Sequence, residues 1–201
     1  MDILCSDLEG VFVPEIWINV ALKTGIDELK LTTRDISDYD VLMKRRLAIL
    51  KEHNLKLRDI TDVIDTIQPL DGAVEALDWI RERSQIIILS DTFEEFARPL
   101  LKKLGRPTLL CHNLTIDKAG AIAGYNLRIP NHKKLTATAL KKLNYRVIAF
   151  GDSYNDTAML KEADHGFLFR PPENVIREFP ELPVTTTYDE LKQMITSLMA
   201  S

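Results

Sequence analysis

Three apolar runs in this chain each end on an acid, and that pattern constrains its fold more than any other feature. Ile3–Ser6 runs into Asp7, residues 85–90 (QIIILS) into Asp91, and residues 146–151 (RVIAFG) close to Asp152. Consecutive β-branched and apolar residues without polar alternation suit parallel strands buried on both faces. Thr108–Cys111, Gly166–Phe169 and Val184–Thr187 are weaker strand candidates. Helical patterns lie between them at Ala73–Arg83, Glu94–Leu104, Lys133–Leu143 and Tyr154–Glu162, with a short one at Glu173–Glu178 after Pro171-Pro172. Alternating strands and helices predict an α/β fold with a doubly wound parallel sheet. The ligand crevice of such a sheet lies beyond the carboxyl ends of its strands.

Two stretches break the alternation. From Pro14 to about Ile67 only helical patterns occur: Glu15–Lys23, Tyr39–His53 and Arg58–Ile67. They follow the first strand, so they read as a small inserted helical cap. The expected division is a catalytic core of residues 1–13 and 71–201 and a cap of residues 14–70, which suits a chain of 201 residues. Leu114–Asp117 and Ala121–Ile129 flank Lys118-Ala119-Gly120 and read as a β-hairpin.

The strand ends gather Asp7, Glu9, Asp91, Asp152 and Asp156, with the hydroxyls of Ser90 and Thr92 and the amide of Asn155. That much negative charge in one crevice is costly unless a cation is present. A hard divalent ion such as Mg²⁺ suits carboxylate and carbonyl oxygens. The whole chain has 26 Lys and Arg against 30 Asp and Glu, a net charge of −4. Nucleic acid and anionic membranes are therefore not expected partners. The longest aliphatic run, residues 86–89, is far short of the roughly 20 residues a membrane span needs. The N-terminus lacks the basic and apolar regions of a secretory signal. Cys5 and Cys111 are expected to be reduced thiols, which points to the cytoplasm. His53, His112, His132 and His165 include no pair at i,i+3 or i,i+4, so no helical His metal site is expected.

These motifs resemble those of a known family. DLEGV is similar to the first motif, DxDGT/V, of the haloacid dehalogenase superfamily of phosphohydrolases. SDT resembles its second motif and GDSYND its fourth, and Lys133 or Lys134 at a helix start would be the third. All four occur in the family's order. The insert after the first strand resembles the cap of the phosphoserine phosphatase group. DLEG, VPEIW, SDTF and GDSYND resemble its bifunctional phosphoserine phosphatase and homoserine phosphotransferase branch.

The resemblance implies roles. Asp7 would attack phosphorus and form an aspartyl-phosphate. Glu9, where most relatives have Asp, would protonate the leaving alkoxide and then activate water. Mg²⁺ would be held by Asp7, the main-chain carbonyl of Glu9 and Asp152, with Asp156 orienting the lysine or a metal-bound water. Ser90 and the N–H of Asp91, at a helix N-terminus, would bind phosphoryl oxygens, and Asn155 is a further substrate contact. Lys133, favoured over Lys134 by alignment with the closer branch, would clamp phosphate. Glu15 would pair with the substrate ammonium and Arg46 would grip its carboxylate; helical spacing, not the resemblance, adds Met43, one turn before Arg46 on the same face, as a wall of the pocket. The implied substrate is L-phosphoserine, with homoserine as a possible alternative acceptor to water. The oligomeric state stays open, a homodimer included. A phosphatase for another small phosphomonoester is the rival enzyme reading. A receiver-like signalling domain would need no insert and would keep its acidic pair ahead of the phosphorylated Asp.

Overall fold

The computed structural model describes residues 1–32, 35, 36 and 38–200. Its centre is a seven-stranded sheet in the order β4-β3-β2-β1-β5-β6-β7. The strands are β1 (Asp2–Ser6), β2 (Gln85–Phe93), β3 (Thr108–Ile116), β4 (Ile122–Asn126), β5 (Arg146–Gly151), β6 (His165–Phe169) and β7 (Val184–Thr185). Every pairing is parallel except β3 with β4. β1 is central, with β2 on one side and β5 on the other. Strand order reverses there, so the crevice of the sheet opens at the tip of β1. The acids that end β1 and β5 come together because Asp7 N–H donates to Phe150 O at 3.2 Å.

Helices α1 (Ile16–Thr24), α2 (Tyr39–Glu52) and α3 (Leu57–Thr66) lie between β1 and the first helix that returns to the sheet, α4 (Ala73–Arg81). The remaining helices are α5 (Glu94–Lys103), α6 (His132–Lys142), α7 (Thr157–Glu162), α8 (Glu173–Glu178) and α9 (Tyr188–Ala200). The sheet separates two apolar clusters, as alternation along each strand dictates. One holds Leu4, Ile86, Ile88 and Phe150; the other holds Ile3, Cys5, Leu89 and Ala149. Val20 of α1 and Ile60 and Ile64 of α3 belong to the first cluster, together with Phe96 and Leu100 of α5. Each such side chain contributes about 1.5–3 kcal/mol on burial. The inserted helices therefore share an apolar cluster with the sheet.

The structure corrects three expectations and adds one element. β2 runs to Phe93 and α5 starts only at Glu94, so Ser90 and Asp91 are not at a helix N-terminus. The strand bulges there, pairing Leu89 with Leu110 and Phe93 with His112, and this loosened stretch presents Ser90 and Asp91 to the crevice. The two strand candidates around Asn113 are one continuous strand, β3, parallel to β2 in its first half and antiparallel to β4 in its second. Residues 154–162 divide into a single 3₁₀ turn, Tyr154–Asp156, followed by α7. Helix α9 was not anticipated; Tyr188, Leu191 and Ile195 bury one face of it at helical spacing.

Candidate active site

A cavity of about 750 Å³ opens over the tips of β1, β2 and β5, lined among others by Asp7, Glu9, Arg46, Ser90, Lys133 and Asp152. Asp7 is 4% exposed. Its Oδ1 accepts from Leu8 N–H at 2.8 Å and faces Lys133 Nζ at 3.0 Å. Lys133, in the first turn of α6, also donates to Asp156 Oδ1 at 2.8 Å. Burial alone would lower its ammonium, but the carboxylates of Asp156, Asp7 and Asp91 outweigh that and hold it charged. Lys134, one residue on and about 100° around the helix, is exposed. Lys133 is therefore the lysine that reaches the acids.

Burial, with the charges of Asp156 and Asp152, drives the Asp7 carboxyl well above the usual carboxylate range despite Lys133. Carboxylate oxygens of Asp7, Asp152 and Asp156 all lie within 4.8 Å of one another. The Lys133 ammonium reaches two of these buried acids, Asp7 and Asp156. This buried, oxygen-rich set is the donor chemistry that Mg²⁺ requires. Asp156 has commitments of its own: Oδ2 accepts from Asp152 N–H at 3.0 Å and Ser153 N–H at 3.1 Å, and Oδ1 accepts from Lys133. Two glycines make this packing possible. A Cβ on Gly10, whose φ is 75°, would lie 2.4 Å from Asp152 Oδ2, and one on Gly151 would lie 2.3 Å from Asp156 Cγ.

Glu9 turns toward the inserted helices, where its Oε2 accepts from Ile16 N–H at 2.8 Å at the start of α1. Burial, and next the charge of Glu15, push its carboxyl up to about 8, against the Ile16 hydrogen bond. Glu15 lines the same cavity. Arg46 of α2 is 7% exposed. Its Nη2 donates to Leu31 O at 2.8 Å, its guanidinium lies 4.5 Å over the Trp17 ring, and Nε has no hydrogen-bond partner among the described residues. Burial lowers its pKa to about 10, partly offset by Glu9, Tyr39 and Glu15.

Met43 does not wall the cavity as expected. It is fully buried behind Arg46, which approaches its sulfur at 3.7 Å, and Leu42 lines the cavity instead. A side chain three residues before Arg46 supports it from below, on the buried face of α2.

At the other end Ser90 is buried, its Oγ accepting from Thr92 N–H at 3.3 Å. Asn155 Nδ2 donates to Asp91 Oδ2 at 2.8 Å. His112 and His132 also face Asp91. No spacing along the sequence marks this pair, because the two histidines are neighbours in space and not along a helix. They meet from β3 and α6; Trp17 of α1 and Tyr39 of α2 also line the cavity.

Fold and site together define a hydrolase that works with acids at the tips of a parallel sheet. Residues 13–164 match the family model of haloacid dehalogenase-like hydrolases, and the chain belongs to that family. It is 63% identical over 193 residues to phosphoserine phosphatase ThrH of Pseudomonas aeruginosa, covering 96% of this chain and 94% of that protein. It is 61% identical to a phosphoserine phosphatase of Pseudomonas syringae pv. tomato, covering 96% of this chain and 81% of the other. Among solved structures, a phospho-aspartyl intermediate analogue of phosphoserine phosphatase superposes with a TM-score of 0.75 at 18% identity, over 96% of this chain and 98% of that one. At that identity it shows the shared fold. No helix among the described residues is long and apolar enough to cross a membrane.

Proposed function

We propose that this chain is a Mg²⁺-dependent phosphatase for L-phosphoserine that works through an aspartyl-phosphate on Asp7. The observation that carries the reading is a cavity with two differently equipped ends. Lys133 stands against Asp7 at one end, and buried Arg46 with an unpartnered Nε lines the other. The first suits a phosphoryl group and the second a carboxylate. Glu15 would pair with the substrate ammonium. The names of the two relatives that match nearly the whole chain support the same substrate.

In this account Asp7, Asp152 and the main-chain carbonyl of Glu9 would hold Mg²⁺, which would supply positive charge beside the phosphoryl oxygens. Leu8 N–H and Lys133 fix Oδ1 of Asp7, leaving Oδ2 to attack phosphorus. The P–O bond to the serine oxygen breaks as the new bond to Asp7 forms, and the Glu9 carboxyl gives its proton to the leaving alkoxide. Glu9 then takes a proton from water, which attacks phosphorus and returns Asp7 to its free form. Ser90 Oγ, the Asp91 N–H and Asn155 bind the phosphoryl end, and Asp156 orients Lys133. The helices of residues 14–70 act as a cap that closes over substrate and excludes bulk water.

A second acceptor would enter at the step where Glu9 activates water. An alcohol such as homoserine bound there would take the phosphoryl group, giving O-phosphohomoserine. The two free cysteines suit a cytoplasmic setting. The test is phosphate release from L-phosphoserine with and without Mg²⁺, for the native protein and Asp7→Asn, with homoserine in a parallel reaction. Metal-dependent release lost in Asp7→Asn supports the phosphatase, and phosphohomoserine in the parallel reaction supports the transferase. Release from other phosphomonoesters but not from phosphoserine would keep the Asp7 chemistry and reject the assignment of Glu15 and Arg46.

A further inference from the structure

Asp91 poses a physical problem. Its carboxylate follows Ser90 directly and lies 3.8 Å from Lys133 Nζ, at the end of the cavity assigned to a doubly charged phosphoryl group. A loose anion there would repel the substrate and compete with it for the lysine. The carboxylate is not loose. His132 Nε2 lies 3.2 Å from Oδ1, and a carboxylate can only accept, so the imidazole donates. His112 Nδ1 accepts the N–H of Arg128 at 3.2 Å, which places that ring's proton on Nε2, facing the same Oδ1 at 3.6 Å. The rings pack edge to face, 4.7 Å between centroids, and are 3% and 2% exposed for His112 and His132. Tyr39 Oη of α2 donates to the Asp91 carbonyl at 2.8 Å.

With Oδ1 hydrogen-bonded by His132 and faced by His112 Nε2, Oδ2 is aimed at Asn155 Nδ2 and Lys133 Nζ. Burial alone would raise the Asp91 carboxyl, but Lys133, the two imidazoles and Asn155 hold it ionised, well below the usual range. Asp91, His112 and His132 are also close enough together to be considered as metal ligands. The tautomer of His112 argues against that. Ligation through Nε2 moves the proton to Nδ1, where it would meet the Arg128 N–H head on.

We propose that His112 and His132 are positioning residues that act through Asp91, holding its carboxylate so that it sets Asn155 and the Lys133 ammonium against the phosphoryl group. This rests on the reading of Lys133 as the phosphate-binding cation. Without the imidazole donors the carboxylate swings onto Lys133 and occupies the place of the phosphoryl oxygens. His112→Leu and His132→Leu each lower kcat/KM about tenfold. His112→Gln and His132→Gln, which keep an N–H donor near the Nε2 position, stay within about threefold.

The test is a double-mutant cycle on the full chain with Mg²⁺, read on L-phosphoserine and on an aryl phosphate that lacks the amino-acid part. The expected result is that His132→Leu in an Asp91→Ala background causes no further loss beyond about twofold, on either ester. A full additional loss in that background, or Gln variants as impaired as Leu variants, would overturn the proposal, because packing roles add. If phosphoserine is not the substrate, the native protein fails on it while the aryl phosphate still reports the cycle. Long-range ¹H–¹⁵N spectra of the native protein test the same idea without turnover or substitution. Both rings are expected to carry a proton on Nε2, and His112 to carry none on Nδ1. A proton on Nδ1 of His112, or stoichiometric Zn²⁺ ligation by the pair, would contradict it.

Discussion

Lys133 Nζ lies 3.0 Å from Oδ1 of Asp7, with both side chains almost fully buried, and the same ammonium is 2.8 Å from Asp156. An isolated buried charge is expensive, so each member of this set depends on the others. Lys133→Met leaves buried carboxylates without their cation. We expect phosphate release to fall by at least about a hundredfold and stability to drop by about 3–5 kcal/mol. Lys134→Met, on the exposed neighbour, leaves both within about twofold or 0.5 kcal/mol. Steady-state assays and urea melts of the two variants make the comparison, and equal behaviour would place the phosphate lysine elsewhere.

Arg46 is the test of substrate choice. Arg46→Lys keeps a positive charge but loses the planar fork over Trp17. KM for L-phosphoserine should rise about tenfold or more, while hydrolysis of an aryl phosphate without a carboxylate changes little. Parallel kinetics on the two esters check this, and equal losses on both would mean that Arg46 supports the fold of α2 and not the substrate.

Gly10 and Gly25 separate backbone strain from crowding at the acids. Both have positive φ, 75° and 72°, but a Cβ on Gly25 meets nothing within 4 Å, whereas one on Gly10 meets Asp152 at 2.4 Å. Each Ala substitution costs about 1–2 kcal/mol in stability from the left-handed backbone alone. Only Gly10→Ala should also raise the Mg²⁺ concentration for half-maximal activity, because it displaces Asp152. Metal titrations of both variants, beside their melting curves, distinguish the two effects.

Asp2 and Arg146 tie the start of β1 to the start of β5. Arg146 Nε and Nη2 donate to the two Asp2 oxygens at 2.8 Å each. These hydrogen bonds hold the Asp2 carboxyl below its ordinary value of 3.8, against the effect of burial. A depressed carboxyl stabilises the fold fully above its unfolded pKa, and that contribution fades as pH falls through the folded value. Asp2→Asn should cost about 1 kcal/mol at pH 7, with the gap to the native protein closing below about pH 4. Thermal melts across pH 3–8 measure it; a gap that widens toward acid would contradict the sign.

The acidic tips of β1, β2 and β5 were legible because each is local: an apolar run, then an acid. Their convergence followed from parallel-sheet topology. Lys133 and Lys134 could not be separated on local chemistry, since both are lysines at a helix start; helix phase and packing decide. Ser90 was misplaced at a helix N-terminus because SDTF reads like a cap, while the bulge that carries β2 on to Phe93 depends on pairing with His112 of β3. The same non-local pairing hid the His112–His132–Asp91 cluster. Met43 was given to the cavity by helical spacing from Arg46, and spacing alone does not say which of two neighbours faces a ligand.

The central claim is a covalent phosphoryl group on Asp7, and the most direct measurement is acid-quench trapping with phosphate-labelled L-phosphoserine. The account predicts label on the native protein within its first turnover, released by hydroxylamine as an acyl-phosphate and mapped to the peptide containing Asp7, with none on Asp7→Asn. Turnover without any trapped label under rapid quench, or label that persists in Asp7→Asn, would contradict it.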